Sequence, residues 1–286
     1  MEVDIAPSLL KTIQTDFQSM FDKSSVISSL YAKVRDGTAT YVEANEFAIE
    51  TGDILAKAFH NNLSSSVLPD GRMYYNIAQR IFEPTMTKNY DLITEITNQV
   101  QTLLNKSAGI GIKAITPELN KDKITGIVNR VSDAGNFDDV AWILDEPIKT
   151  FSQSIVDDSI RVNAEFQYDA GVNPKIVRIS TGTCCEWCNA IAGEYNYPDV
   201  PKEVYQRHNY CRCKVDYVVG KDRKNVHNGN TGRRRYVKDK YGSYVLSKDA
   251  RIARAKQMEA TEKERKAEAR RKRIETWQKK KEEKKN

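Results

Sequence analysis

All five cysteines of this 286-residue chain fall between positions 184 and 213, and one of its three histidines, His208, falls with them. They form two clusters, Cys184-Cys185-x-x-Cys188 and His208-x-x-Cys211-x-Cys213, facing each other across 19 intervening residues. Two residues between cysteines let a tight turn aim both thiolates at one ion about 2.3 Å away, and a His-x-x-Cys pair opposite can complete a tetrahedron. The intervening loop carries Gly193, Pro198 and Pro201, as a chain that must turn back requires. Cys211 and Cys213 are not both expected at one ion. The expected ligands are Cys185, Cys188, His208 and Cys211, with Cys213 as the replacement for Cys211 and Cys184 as a spare thiol. Four protein ligands fill a zinc site and make it structural, because a catalytic zinc keeps a position open for water. Disulfides are disfavoured by the odd count and by the expectation of a reducing compartment.

The string CEWCNAIAG, a Pro-containing loop and then RHNYCRC resemble the C-terminal signature of the Mu F-like head morphogenesis family, minor head proteins of tailed phages. The match rests on Cys185, Cys188, Gly193, His208, Cys211, Arg212 and Cys213. Upstream, SIRVNAEFQYDAGV (159–172) is similar to the family's preceding helix, and KIVRIS (175–180) to its following strand. Asn209 stands where the family has Pro after the His. The resemblance covers about residues 150–217. It implies a protein of the virion head, made in the host bacterial cytoplasm and acting in head assembly near the portal. Its implied partners are the portal or the major head protein, with packaged DNA a further one.

Charge is distributed unevenly. Residues 1–219 carry a formal −8 and residues 220–286 carry +14, so the net +6 describes an acidic body with a basic tail. Within the tail, Arg270, Arg271, Lys272 and Arg273, with Lys279, Lys280 and Lys281, are candidates for neutralising phosphates or an acidic partner. Residues 247–286 are rich in Ala, Glu, Lys and Arg and are expected to be helical. Ile252, Met258, Ile274 and Trp277 make no sustained heptad, which argues against a coiled coil. A zinc-stabilised nucleic-acid-binding protein with a basic tail is therefore the alternative reading.

The N-terminal region, 1–109, reads as helical. Leu9, Leu10, Ile13, Phe17 and Phe21 recur at helical spacing, and the pattern returns over 41–63 although Gly52 weakens it. A third helix is expected over 73–82, closed by Glu83-Pro84, and a fourth over 91–104, followed by a hinge-like break at 107–112. Tyr74 and Tyr75, beside Arg72 and Arg80, are expected in the core rather than as base-stacking groups. Residues 110–219 read as an α+β module. A helix opened by Pro117 carries Ile124 to Val131, a long helix runs from Pro147 to about Asp169, and strands cover Lys175–Ser180 and Lys214–Val219. If those strands pair, a metal between them pins a small sheet against the long helix. Residues 220–246 read as a polar basic linker, with room for a short hairpin. The fold class is α+β: a mostly helical N-terminal region, a small zinc-pinned module and a basic C-terminal helix.

No run approaches the ~20 apolar residues of a membrane helix, and the acidic N-terminus lacks a basic-then-apolar leader, so a soluble protein with no membrane partner is expected. Enzymatic signatures are missing. There is no His-x-Glu before a Pro-Cys-x-x-Cys, no His-Glu-x-x-His, no Gly-x-Ser-x-Gly and no Walker loop. No catalytic residue is assigned.

Overall fold

The computed structural model describes residues 4–181 and 185–219, together with the backbone of two short strands at 236–238 and 244–246. Helices dominate: α1 (Ala6–Lys23), α2 (Ser25–Arg35), α3 (Tyr41–Asn62), α4 (Tyr75–Ser107), α5 (Lys121–Ser132), α6 (Glu146–Asp169) and the short α7 (Glu186–Ala190). Strands β1 (Lys175–Ile179), β2 (Gly193–Asn196) and β3 (Lys214–Val218) form an antiparallel sheet in the order β2-β1-β3. Residues 1–224 make one compact unit. The segments 1–109 and 110–219 therefore share a single core within one body: Phe47 and Phe59 of α3, Phe82 of α4, Ile160 of α6 and Tyr217 of β3 all belong to it. A second unit, 225–286, contains the antiparallel pair β4 (Tyr236–Lys238) and β5 (Tyr244–Leu246) inside the stretch expected to be a linker. The basic helix expected over 247–286, with its candidate phosphate-binding residues Arg270 to Arg273 and Lys279 to Lys281, lies outside the described residues.

Local chemistry explains most of the helix boundaries. Ser24 accepts from the Ile27 amide to start α2, and Thr40 with Glu43 forms a capping box at the start of α3. Two expected boundaries are corrected. Glu83-Pro84 does not close a helix, because α4 runs unbroken through Pro84. The apolar stripe continues across it from Ile77, Ala78, Ile81 and Phe82 to Met86, Ile93, Ile96 and Val100, and packing outweighs the lost amide. Beside it the Thr85 hydroxyl donates to the Ile81 carbonyl at 2.7 Å. Pro117 does not open α5 either. Asn120 caps that helix by accepting from the Lys123 amide at 3.1 Å, while the Pro117 carbonyl accepts from the Tyr90 hydroxyl. Tyr74 and Tyr75 are on the surface, not in the core, because Met73 takes the buried position at the entry to α4. The Tyr74 hydroxyl donates to Asp70, and the Arg72 guanidinium lies 5.8 Å from its ring.

Helices α3 and α6 form the most extensive pair in the body. Gly52, which weakens α3 on propensity alone, is what allows that approach. A Cβ at this position would stand 2.9 Å from the Ser152 Oγ and 3.1 Å from the Lys149 Cα of α6. Gly52→Val is accordingly expected to lower stability by about 2–3 kcal/mol through overpacking, read as a drop in the urea midpoint at unchanged slope.

The interface of α4 with its neighbours is polar along one stripe. Thr85, Asn89, Thr97, Gln101 and Asn105 are all buried, and partners on α6 answer them: Asn89 donates to Ser152 at 2.8 Å, and Thr97 bonds Ser159 at 3.0 Å. A chain of side-chain bonds then ties four elements together. Tyr41 of α3 donates to Gln101, Gln101 and Gln167 both donate to Asn105, and Tyr217 of β3 donates to Gln167. Buried networks of this kind fix register, since a slip by one turn leaves amides unpaired. The break after α4 is strapped down as well. Asn105 donates to the Ile112 carbonyl, and Asn163 exchanges two hydrogen bonds with the Ile115 backbone.

On the sheet, Ile176 lies opposite Tyr217 and Arg178 opposite Val215, all four on the buried face. Both expected strands are present and paired. The register brings Ile179, the last residue of β1, level with Lys214, the first of β3. The segments carrying the two cysteine clusters therefore leave and enter the sheet at the same end.

Candidate metal centre

Two short stretches supply the donors. After β1, Cys185 sits in extended backbone at the N-cap of α7 and Cys188 lies within that helix. Before β3, the chain makes a turn in which the Cys211 amide donates to the His208 carbonyl and Tyr210 adopts φ 63°. Against the expectation that only one of them would, Cys211 and Cys213 both face the cluster, because residues two apart on an extended chain line one face. Both thiols are buried, and both sulfurs converge on Cys188.

The five donor atoms fall into two triads that share Cys188. Cys185, Cys188 and His208 form one, Cys188, Cys211 and Cys213 the other, with the atoms of each triad within 4.8 Å of one another. His208 Nε2 stands 3.0 Å from the Cys188 sulfur and 3.3 Å from that of Cys185. Cys188 and Cys211 are 3.8 Å apart, which matches the edge of a tetrahedron with metal–sulfur bonds of about 2.3 Å, about 3.8 Å. Together the residues expected from the sequence, Cys185, Cys188, His208 and Cys211, are assembled in one place, and Cys213 joins them. Cys184 lies outside the described residues.

The surroundings suit a cation-binding cluster. His208 Nδ1 lies 2.6 Å from the Asn209 carbonyl oxygen, which can only accept, so the proton is on Nδ1 and the Nε2 lone pair faces the sulfurs. Burial pushes the Cys188 thiol up to about 11, with Cys213 and Arg178 pulling the other way. A bound cation reverses that cost, because metal ligation deprotonates a thiol outright. Arg178 reaches the cluster from β1: its Nη1 donates to the carbonyls of Val204 and Gln206, and Nη2 lies 3.5 Å from the Cys211 sulfur. Trp187 packs edge-on to the His208 ring at 5.6 Å and lies under the Arg178 guanidinium at 5.5 Å.

Basic residues interleaved with the second cluster anchor it to the helices. Arg207 makes a two-pronged pair with the buried Asp157 of α6, at 2.5 and 2.7 Å, and donates further to Asn45 of α3 and to the Cys213 carbonyl. Burial raises Asp157 while Arg207 opposes it, and Asp157 in turn raises Arg207 against its own burial; the fork is the geometry of a charge-assisted pair. Arg212 makes a second fork with Glu146 at the start of α6, at 2.7 and 3.0 Å, and Glu146 also accepts from the Tyr210 amide. Burial pushes Glu146 up, but these bonds outweigh it and hold its carboxyl below the ordinary value. Lys214 pairs with Glu46 of α3. Sequence reading missed these roles. The available signal was the alternation Arg207-His208-x-x-Cys211-Arg212-Cys213-Lys214 in a body that is otherwise acidic.

Comparison with protein-family models, with curated proteins and with solved structures finds no match. No helix of the described residues is long and apolar enough to cross a membrane.

Proposed function

We propose that this protein is a minor structural and assembly protein of a tailed-phage head, built around a structural zinc centre. The observation that carries the reading is the convergence of the CEWC and RHNYCRC donors on Cys188, because that signature is where the chain resembles the Mu F-like family. Zinc fits the donor set: thiolates and one imidazole, oriented by a backbone carbonyl and enclosed by side chains. Cys188, His208 and two of Cys185, Cys211 and Cys213 would hold it. Bound there, the ion would supply cross-linking rather than chemistry, tying the α7 turn to the turn before β3 at one end of the sheet. The helical body would then present a rigid surface to the portal or the major head protein.

The charge asymmetry favours a second reading, a zinc-stabilised nucleic-acid-binding protein whose residues 220–286, at +14, neutralise phosphates. Within a head the two readings meet, since packaged DNA is the polyanion at hand. Co-expression with portal and major head protein separates them. The head reading expects the chain to co-sediment with portal-containing particles at physiological salt. Free protein that binds DNA with a steep salt dependence and never enters particles would contradict it in favour of the second reading.

A further inference from the structure

Five donors compete for four positions around one ion, and the surroundings of each donor discriminate among them. Cys188, Cys211 and Cys213 are buried with their sulfurs clustered, whereas Cys185 is exposed at the N-cap of α7. His208 has its Nδ1 committed to the Asn209 carbonyl and offers Nε2 to Cys188 at 3.0 Å. Arg178 supplies an independent argument from charge. Arg178 is 1% exposed, its Nε has no partner among the described residues, and Nη2 lies 3.5 Å from the Cys211 sulfur. The other buried arginine here, Arg207, is already balanced by Asp157. One buried positive charge is left over, and buried charges require compensation. A dication with three thiolates and a neutral imidazole carries −1, which Arg178 cancels. Four thiolates would leave −2.

Resting on the zinc reading above, we propose that the ion is held by Cys188, Cys211, Cys213 and His208, with Arg178 as its counter-charge and Cys185 outside the coordination sphere as a free, solvent-facing thiol. Cys213 is thus a ligand rather than a substitute for one. Cys185 lies 3.3 Å from the His208 Nε2, at the edge of a site that the other four donors fill.

Cobalt substitution of the full chain tests the assignment, because thiolate-to-cobalt charge-transfer absorption scales with the number of sulfur ligands. The Cys184→Ala/Cys185→Ala double variant, which also removes the neighbouring thiol as a stand-in, should keep the full intensity. Cys213→Ala should lose about one third of it, one thiolate of three. Arg178→Met should leave the band shape unchanged and weaken cobalt retention against a chelator. A loss of one third in the double variant with full intensity in Cys213→Ala would overturn the ligand set. Should Cys213→Ala fail to fold, alkylation of the intact zinc-loaded chain decides by fragment mass. Labelling at Cys185 with protection at Cys188, Cys211 and Cys213 is expected, and the reverse for Cys185 and Cys213 contradicts the proposal. An intact chain that takes up neither zinc nor cobalt defeats the metal reading itself, not merely the choice of ligands.

Discussion

Stripping the metal with a chelator is expected to release residues 185–213 to fast amide exchange while α3, α4 and α6 keep their protection. The reason lies in how burial is partitioned. Cys188, Cys211 and Cys213 form a cluster of their own, separate from the hydrophobic core that runs through α1 to α6 and the sheet. Around the cysteines the chain has little regular structure: a five-residue helix, a four-residue edge strand and a single 3-10 turn. Such a segment gives the main core only Val204 in full, with Tyr195, Tyr197, Val200 and Tyr205 packed against it, and metal binding supplies the ordering of the rest. Structural zinc is worth roughly 10–16 kcal/mol in isolated zinc-finger peptides. Here the helical body folds on its own core, so the loss is local. Cys188→Ser should reproduce the chelated pattern, since Cys188 belongs to both triads. Hydrogen exchange read by mass spectrometry checks this, and uniform loss of protection through α3 and α6 would show that the centre holds up the whole body instead.

The second large effect is expected at Asp157. Replacing it with Leu leaves the Arg207 guanidinium buried with its charge uncompensated, which costs about 3–5 kcal/mol. The change also frees the loop before β3, because Arg207 holds the Cys213 carbonyl and Asn45, which in turn donates to the Val215 carbonyl. Asp157→Leu should therefore lower both the urea midpoint and the retention of zinc, although Asp157 touches no donor atom. Asp157→Leu with Arg207→Leu should be less destabilised than the two single losses added together. Additive losses would mean that the pair is not coupled as the fork geometry indicates.

Legibility from the sequence followed the range of the interactions involved. The cysteine spacing announced the cluster because a chelating pair is a local pattern. Strands β1 and β3 were visible in Lys175–Ser180 and Lys214–Val219 because their alternation is local too. Strand β2, Gly193–Asn196, was not, since it is an edge of four mostly exposed residues with nothing periodic in it. The continuity of α4 through Pro84 was hidden because the proline argues locally for a stop and the stripe that overrides it is 24 residues long, from Ile77 to Val100. Gly52 read as a weakness because its use lies across the interface with α6. The placement of Cys213 beside Cys211 needed no long-range contact: residues two apart on extended chain line one face, so their spacing already allowed both thiols into the cluster. The arginine anchors depend on Glu146 and Asp157, 64 and 50 residues away from Tyr210 and Arg207, and only the fold brings them together.

Elemental analysis of the purified, freshly reduced full chain tests the central claim most directly. The account predicts one zinc per chain, lost in Cys188→Ser. A reduced, folded chain with no bound metal would contradict it and leave the five donors as a cluster of thiols and one histidine packed for other reasons.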